Sequence, residues 1–195
     1  MHLTAMELVH SCDEEHAAVA VASFRGALPG LVDFTFSHRT RLVKPLISHD
    51  VSGFALTFVP ANGETPRSPA PVVPYPHARP LIAKGDGYTY HHLRRDLFDA
   101  VTAAGAEINP RYNMPSAHIT LGRFISDIDH ETPAMRQKWV DTIEEVNDWL
   151  QDKVWDRDDC PYIGEWVVGQ ERGLDCRVGA ASFGGGRSVL AGEGF

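Results

Sequence analysis

The chain has 195 residues, 43% hydrophobic and 23% charged, which suits one or two compact domains and excludes a mainly disordered chain, a collagen and a coiled coil. No stretch reaches the ~18 consecutive apolar residues of a membrane span, and Met1 to Glu7 has neither a basic n-region nor an apolar h-region. The formal charge is −8, of which Asp127 to Asp159 supplies −7 (11 acidic, 4 basic residues), so the remainder is near neutral and leaves room for a positive substrate site. Ser37 to His49 holds Arg39, Arg41 and Lys44 without an acidic residue, a cluster small enough to be a solvated basic edge. Cys12, Cys160 and Cys176 lack CxxC spacing and an even number, and read as reduced thiols of a cytoplasmic protein.

In chain order, His2 to Val9 is strand-like, and so abrupt a structured start suggests a late start codon or a fragment. Ser11-Cys-Asp-Glu14 has the form of a capping box. Behind it Ala17, Val21, Phe24 and Leu28 fall on one helical face, and Pro29-Gly30 is the expected stop. Leu31 to Phe36 and Thr40 to Ile47 read as strands. Gly53 to Val59 is a clear strand, apolar on both faces and hence central. Pro60 to Asp86 holds seven prolines and reads as a surface excursion. Tyr88 to Ala104 is helical, with Tyr90, Leu93, Leu97 and Val101 on one face and Gly105 as cap. Ala117 to Ile125 is a strand. Met135 to Leu150 is a helix with Trp139, Ile143, Val146 and Leu150 inward. Strands near Gly164 to Gly169 and Asp175 to Phe183 and a glycine-rich tail close the chain.

This order contains an echo: His2-Leu-Thr-Ala and His118-Ile-Thr-Leu each open a strand, 116 residues apart, and each is followed by a helix and a strand pair. The expected fold class is α+β, with two lobes of antiparallel sheet related by a pseudo-two-fold and flanked by helices. Lobe one would span about 1–60, the proline-rich loop 60–86, then a helix over 88–104 and lobe two over 111–195.

In a strand, residues i and i+2 share a face, so His2 lies beside Thr4 and His118 beside Thr120. Were the two strands adjacent, two imidazoles and two hydroxyls would converge. One neutral imidazole can take a proton from an attacking water, one imidazolium can protonate a leaving oxygen, and the hydroxyls can donate to phosphate oxygens. A single His-x-Thr carries little weight, because Thr favours strands and His is common; two copies at matching places carry more.

The remaining motifs favour bland readings. His91, His92, Arg94 and Arg95 look like a solvated helix face, because adjacent helical residues point about 100° apart. Tyr88, Tyr90 and Tyr112 are of the type that stacks on bases, though buried tyrosines with bonded hydroxyls are commoner. Arg123 is at odd parity from His118 and faces away if the strand is regular. Gly184-Gly-Gly-Arg187 lacks the ending of a phosphate-binding P-loop. No histidine spacing matches a zinc site, so neither metal nor cofactor is expected.

Pro115-Ser-Ala-His-Ile-Thr-Leu-Gly-Arg-Phe124 and Met1-His-Leu-Thr-Ala-Met-Glu-Leu8 resemble the two motifs of the two-histidine (2H) phosphoesterase superfamily. Tyr88-Thr-Tyr-His-His-Leu-Arg-Arg-Asp-Leu97, Gly164-Glu-Trp-Val-Val-Gly169 and Gly184-Gly-Gly186 are similar to a fungal subgroup described as RNA ligase/cyclic nucleotide phosphodiesterase-like. The resemblance spans nearly the whole chain. It implies a metal-independent phosphodiesterase that hydrolyses, or reversibly forms, 2′,5′ or 2′,3′-cyclic phosphodiesters of RNA ends or small nucleotides. His2 and His118 would be the acid/base pair, and Thr4 and Thr120 the substrate-binding hydroxyls. Family members usually carry a strand and a helix before the first motif, which this sequence does not show. The alternatives are a nucleotide or RNA-end binding module without turnover, and an inactive truncated relative. A cytoplasmic monomer without membrane contact is expected.

Overall fold

The computed structural model describes residues 2–67, 86–110, 116–180 and 185–194. Its helices are α1 (Glu14–Ser23), α2 (Leu28–Val32), α3 (Tyr90–Ala103) and α4 (Pro133–Lys153), and its strands β1 (Arg41–His49), β2 (Gly53–Pro60), β3 (Ala117–Arg123), β4 (Glu165–Val167), β5 (Asp175–Val178) and β6 (Arg187–Ala191). The class is α+β. Four strands form one antiparallel sheet in the order β3-β2-β1-β4, and β5 and β6 form a separate antiparallel hairpin. No helix among the described residues is long and apolar enough to cross a membrane.

The β1–β2 turn is set by Asp50, whose Oδ1 accepts from the Ser52 amide at 2.7 Å and the Gly53 amide at 3.0 Å. β2 is central as expected, with β1 on one side and β3 on the other. β4 pairs only with Arg41, Leu42 and Val43, so the rest of β1 would be an open edge. The strand bulges after Val43, where Lys44 adopts a positive φ of 54° just before Pro45. Helix α4 and its C-terminal end close the gap. Asn147 accepts from the Ile47 amide at 2.6 Å and donates to the Ile47 carbonyl at 3.0 Å. The Trp155 indole N–H donates to the Pro45 carbonyl at 2.8 Å.

The hydrophobic interior has two parts, and α3 belongs to both. Tyr90 and Leu93, on its first turn, pack with Leu42 and Ala117 of the large sheet and with Val168 just after β4. Leu97 and Val101, farther along, pack with Phe24, Leu28, Leu31 and Val32, against which Leu174, Cys176 and Val189 of the hairpin region also lie. Thr89 caps the helix, and Gly105 ends it with φ 94°, donating to the Thr102 carbonyl.

Several expectations are corrected. His2 to Val9 is not a strand: it makes two isolated bridges, Leu3 with Ile119 and Val9 with Asn109. The first cap is Asp13, which accepts from the His16 amide at 2.8 Å, not Ser11. Pro29 and Gly30 lie inside α2 rather than ending a helix, and Leu31 to Phe36 is helical, because Pro is tolerated in a first turn and Leu28, Leu31 and Val32 bury at helical spacing. Val146 is 41% exposed, since Asn147 turns to β1 in its place. The glycine-rich tail contains β6. The expected division near residue 60 is crossed: β1 and β2 join β3 and β4 in one sheet, while β6 contacts α2. Residues 68–85 of the proline-rich stretch lie outside the described residues.

Both ends of that stretch meet at Arg41. Its guanidinium donates to Asp86 at 2.7 and 2.9 Å, to Glu165 at 2.5 Å and to the Glu64 carbonyl at 2.5 Å. Lys44 pairs with Glu64 at 2.9 Å. The Asn62 amide, then Lys44, hold the Glu64 carboxyl down to about 2 from 4.5, and Arg41 lowers Asp86. A carboxyl depressed by folding contributes stability that is complete above its unfolded pKa and lost as pH falls through the folded one. Urea unfolding midpoints are therefore expected to be level above pH 4.5 and to fall steadily toward pH 2, with Glu64→Gln flattening that slope. Asn147→Ala, which leaves both polar groups of Ile47 unpaired, should cost about 1–3 kcal/mol in the same measurement at pH 7.

Candidate two-histidine site

The Leu3–Ile119 bridge is antiparallel. Antiparallel pairing sets the residue before one partner against the residue after the other. His2 therefore falls opposite Thr120, and Thr4 opposite His118. All four lie on the face of β3 away from Leu3 and Ile119. The two histidines are diagonal neighbours, a relation in which the residues lie roughly 7–8 Å apart. Because both segments read His-x-Thr, the quartet has a local two-fold symmetry about the bridge.

Each half is held differently. His118 sits in the regular ladder of β3, directly opposite Thr57, and Thr120 sits opposite Ala55. Ser116 Oγ lies 3.0 Å from His118 Nδ1, which leaves Nε2 as the nitrogen available to a substrate. The first half depends on α3. Tyr90, fully buried, donates its hydroxyl to the Thr4 carbonyl at 3.0 Å. Its phenol is pushed up in pKa by burial, so it stays a donor.

His2 is open to solvent, yet the protein around its ring lowers its pKa below 6.5: first by partial desolvation, then by nearby positive charges that include Arg177 and His118. Sequence reading missed Arg177. It projects from β5 on the side opposite Cys176, which packs inward, and its guanidinium donates to the Gly185 and Gly186 carbonyls at 3.3 and 3.1 Å. Only the alternation of polar Asp175 and Arg177 with Cys176 and Val178 could have hinted at it.

The other singled-out residues lie apart. His92 Nδ1 accepts from the Thr89 amide at 3.1 Å and so caps α3, while His91 is exposed. Tyr88 donates to Asp96 at 3.0 Å, and Arg95 pairs with Asp96 at 2.6 Å. Tyr112 and Gly184 lie outside the described residues. The reading of Arg123 fails on its own condition. β3 is irregular: Thr120 pairs with Ala55 but Gly122 with Phe54, so Leu121 is an extra residue. Arg123, opposite Gly53, returns to the face of His118, at its far end, and helps lower the Asp50 carboxyl, whose main hold is Ser52.

Among the described residues no three His, Cys, Asp or Glu side chains come together so as to hold a metal ion. A shallow pocket lies elsewhere, against Val43, Lys44, Glu64, Trp155 and Glu165, where the ion pairs already described occupy its polar groups. The chemistry-bearing cluster is instead an open surface. No protein-family model, curated protein or solved structure matches the chain.

The ring protons of His2, followed by NMR, are expected to titrate with a midpoint below 6.5. Arg177→Gln should move that midpoint up by removing a repelling charge. An unmoved midpoint would place the guanidinium too far away to matter.

Proposed function

We propose that this chain is a phosphodiesterase of the two-histidine type, acting on 2′,5′ or 2′,3′-cyclic phosphodiesters of RNA ends or small nucleotides without a metal. The single observation that carries this reading is the Leu3–Ile119 bridge, which brings two otherwise ordinary His-x-Thr segments together as a symmetric quartet. The two-fold relation between the two motifs is part of the same proposal, with the bridge as its local axis.

The lowered pKa of His2 supports its assignment as the base. Neutral His2 takes a proton from water as the water oxygen bonds to phosphorus. The P–O bond to the 2′ or 3′ oxygen breaks, and the imidazolium of His118 protonates that leaving oxygen. Thr4 and Thr120 donate to the non-bridging oxygens, whose charge grows in the transition state. Solvent exchange then restores both rings. The resemblance also admits the reverse, ring-forming direction through the same groups.

A second reading, a module that holds nucleotide ends without turnover, is favoured by one observation: the first motif is held to β3 by a lone bridge, with His2 and Thr4 both exposed. Kinetics separates the two. With a nucleoside 2′,3′-cyclic phosphate, kcat/KM should follow a bell in pH whose acid limb lies below 6.5, set by His2. His118→Ala should lower turnover by about 10²–10⁴-fold and remove the other limb. Thr120→Ala should cost roughly 2- to 10-fold, the worth of one neutral hydrogen bond. EDTA should leave the rate unchanged. Full turnover in His118→Ala, or none in wild type despite nucleotide binding, would defeat the catalytic reading.

A further inference from the structure

On the other side of β3 from the N-terminal segment, the sheet continues the face that carries the quartet. Thr57 is the direct cross-strand neighbour of His118, and Ala55 of Thr120. One strand farther, Leu46 stands opposite Thr57 and Ser48 opposite Ala55. Cross-strand neighbours on one face lie about 5 Å apart, so this floor begins within one side chain of the catalytic pair.

Its chemistry differs from that of the quartet. Leu46, Ser48, Ala55, Thr57 and Val59 carry no charge, and Val59 is 42% exposed beside them. Ser48 Oγ and Thr57 Oγ1 are 2.5 Å apart. One hydroxyl donates to the other, so the pair retains one proton to give and lone pairs to accept. A sugar hydroxyl, both donor and acceptor, suits such a pair; a phosphate, which only accepts, uses half of it. Ala55, opposite Ser48 and two residues from Thr57, is small for a central strand, where β-branched and aromatic residues are usual. Arg177 adds positive charge near His2, and Arg123 stands at the far end of the same face, opposite Gly53. Across the paired residues of β2 and β1 the face is neutral, with hydroxyls and apolar borders.

We propose that the nucleoside bearing the scissile phosphate lies across β2 toward β1, over Ala55, with its sugar hydroxyls bonded by Thr57 and Ser48. This inference rests on the phosphodiesterase reading and adds to it the orientation of the substrate and the residues that recognise its nucleoside. Phosphate faces the histidines and Arg177; the neutral sugar and base face the floor. Thr57, Ser48 and Ala55 are specificity residues here and take no part in proton transfer.

The test compares a nucleoside 2′,3′-cyclic phosphate with glycerol 1,2-cyclic phosphate, which has the same reacting ring and no nucleoside. Thr57→Val keeps the side-chain shape and should raise KM for the nucleotide about 2- to 10-fold, with kcat and the glycerol substrate unchanged. Ala55→Leu adds bulk to the middle of the floor and should raise that KM further, again sparing the glycerol substrate. Thermal midpoints of both variants check folding. In parallel, amide NMR of the wild-type chain with a nucleoside 2′-monophosphate should shift Ala55 and Thr57, whereas inorganic phosphate should shift only residues of the quartet. If both variants handle both substrates as wild type does, the floor proposal is wrong and the phosphodiesterase reading stands. If the wild type turns over neither substrate but the nucleotide shifts Thr57, the floor stands and catalysis does not. If the nucleotide shifts neither Thr57 nor His118, both fall.

Discussion

Tyr90 is the residue on which the two halves of the molecule depend. It is fully buried at the first turn of α3, its ring packs with Leu42, Leu93 and Ala117 under the large sheet, and its hydroxyl reaches the Thr4 carbonyl. A buried phenol without a partner would be costly, so the need to satisfy its hydroxyl pulls the N-terminal segment onto the sheet. The same helix, about two and three turns on, packs Leu97 and Val101 into the second apolar cluster. One amphipathic helix thus ties the hairpin region, the large sheet and the first His-x-Thr segment into fixed relation.

The large sheet then has to end without exposing a long edge. β4 pairs with only three residues of β1, and a bulge at Lys44–Pro45 takes the strand out of the ladder at the point where that pairing stops. Asn147 and Trp155 meet the backbone beyond it. Side chains here substitute for a missing strand, which blocks edge-to-edge association at the cost of dedicating two residues of the α4 region. At the other edge, β3 receives the Leu3 bridge, so the candidate site lies where the sheet gains a short extra partner.

That position has a chemical consequence. An antiparallel meeting of two His-x-Thr segments places like residues on a diagonal, leaving a gap between the imidazoles and a hydroxyl beside each. A parallel meeting would have set histidine against histidine and left no such gap. The two halves are alike in sequence but not in support, since His118 stands in a continuous ladder and His2 on one bridge. Their surroundings differ too: Ser116 lies 3.0 Å from His118 Nδ1, whereas partial burial and nearby positive charge, Arg177 included, lower the pKa of His2, so the two rings are not equivalent.

Much of the framework was legible in the chain. The alternation of Phe54, Leu56 and Phe58 with Ala55, Thr57 and Val59 fixed β2 as central, and the spacing of Tyr90, Leu93, Leu97 and Val101 fixed α3, because periodicity of burial is a local property. The His-x-Thr echo marked the residues of the candidate site for the same reason: i and i+2 share a face whatever the partner. What the sequence alone left open was decided by contacts distant along the chain. Leu31 to Phe36 became helical because Leu28, Leu31 and Val32 pack into one cluster with Leu97 and Val101 of α3, contacts that select helix over strand for a short apolar run. Arg123 returned to the site face because of a bulge that exists only in the pairing of β3 with β2. Thr57 came to stand beside His118 through a pairing of strands far apart in sequence, and Arg177 came near enough to His2 to act on its charge. Side-chain chemistry and period are written residue by residue, whereas register, bulges and which strands become neighbours are settled only when the whole chain buries its apolar surface at once.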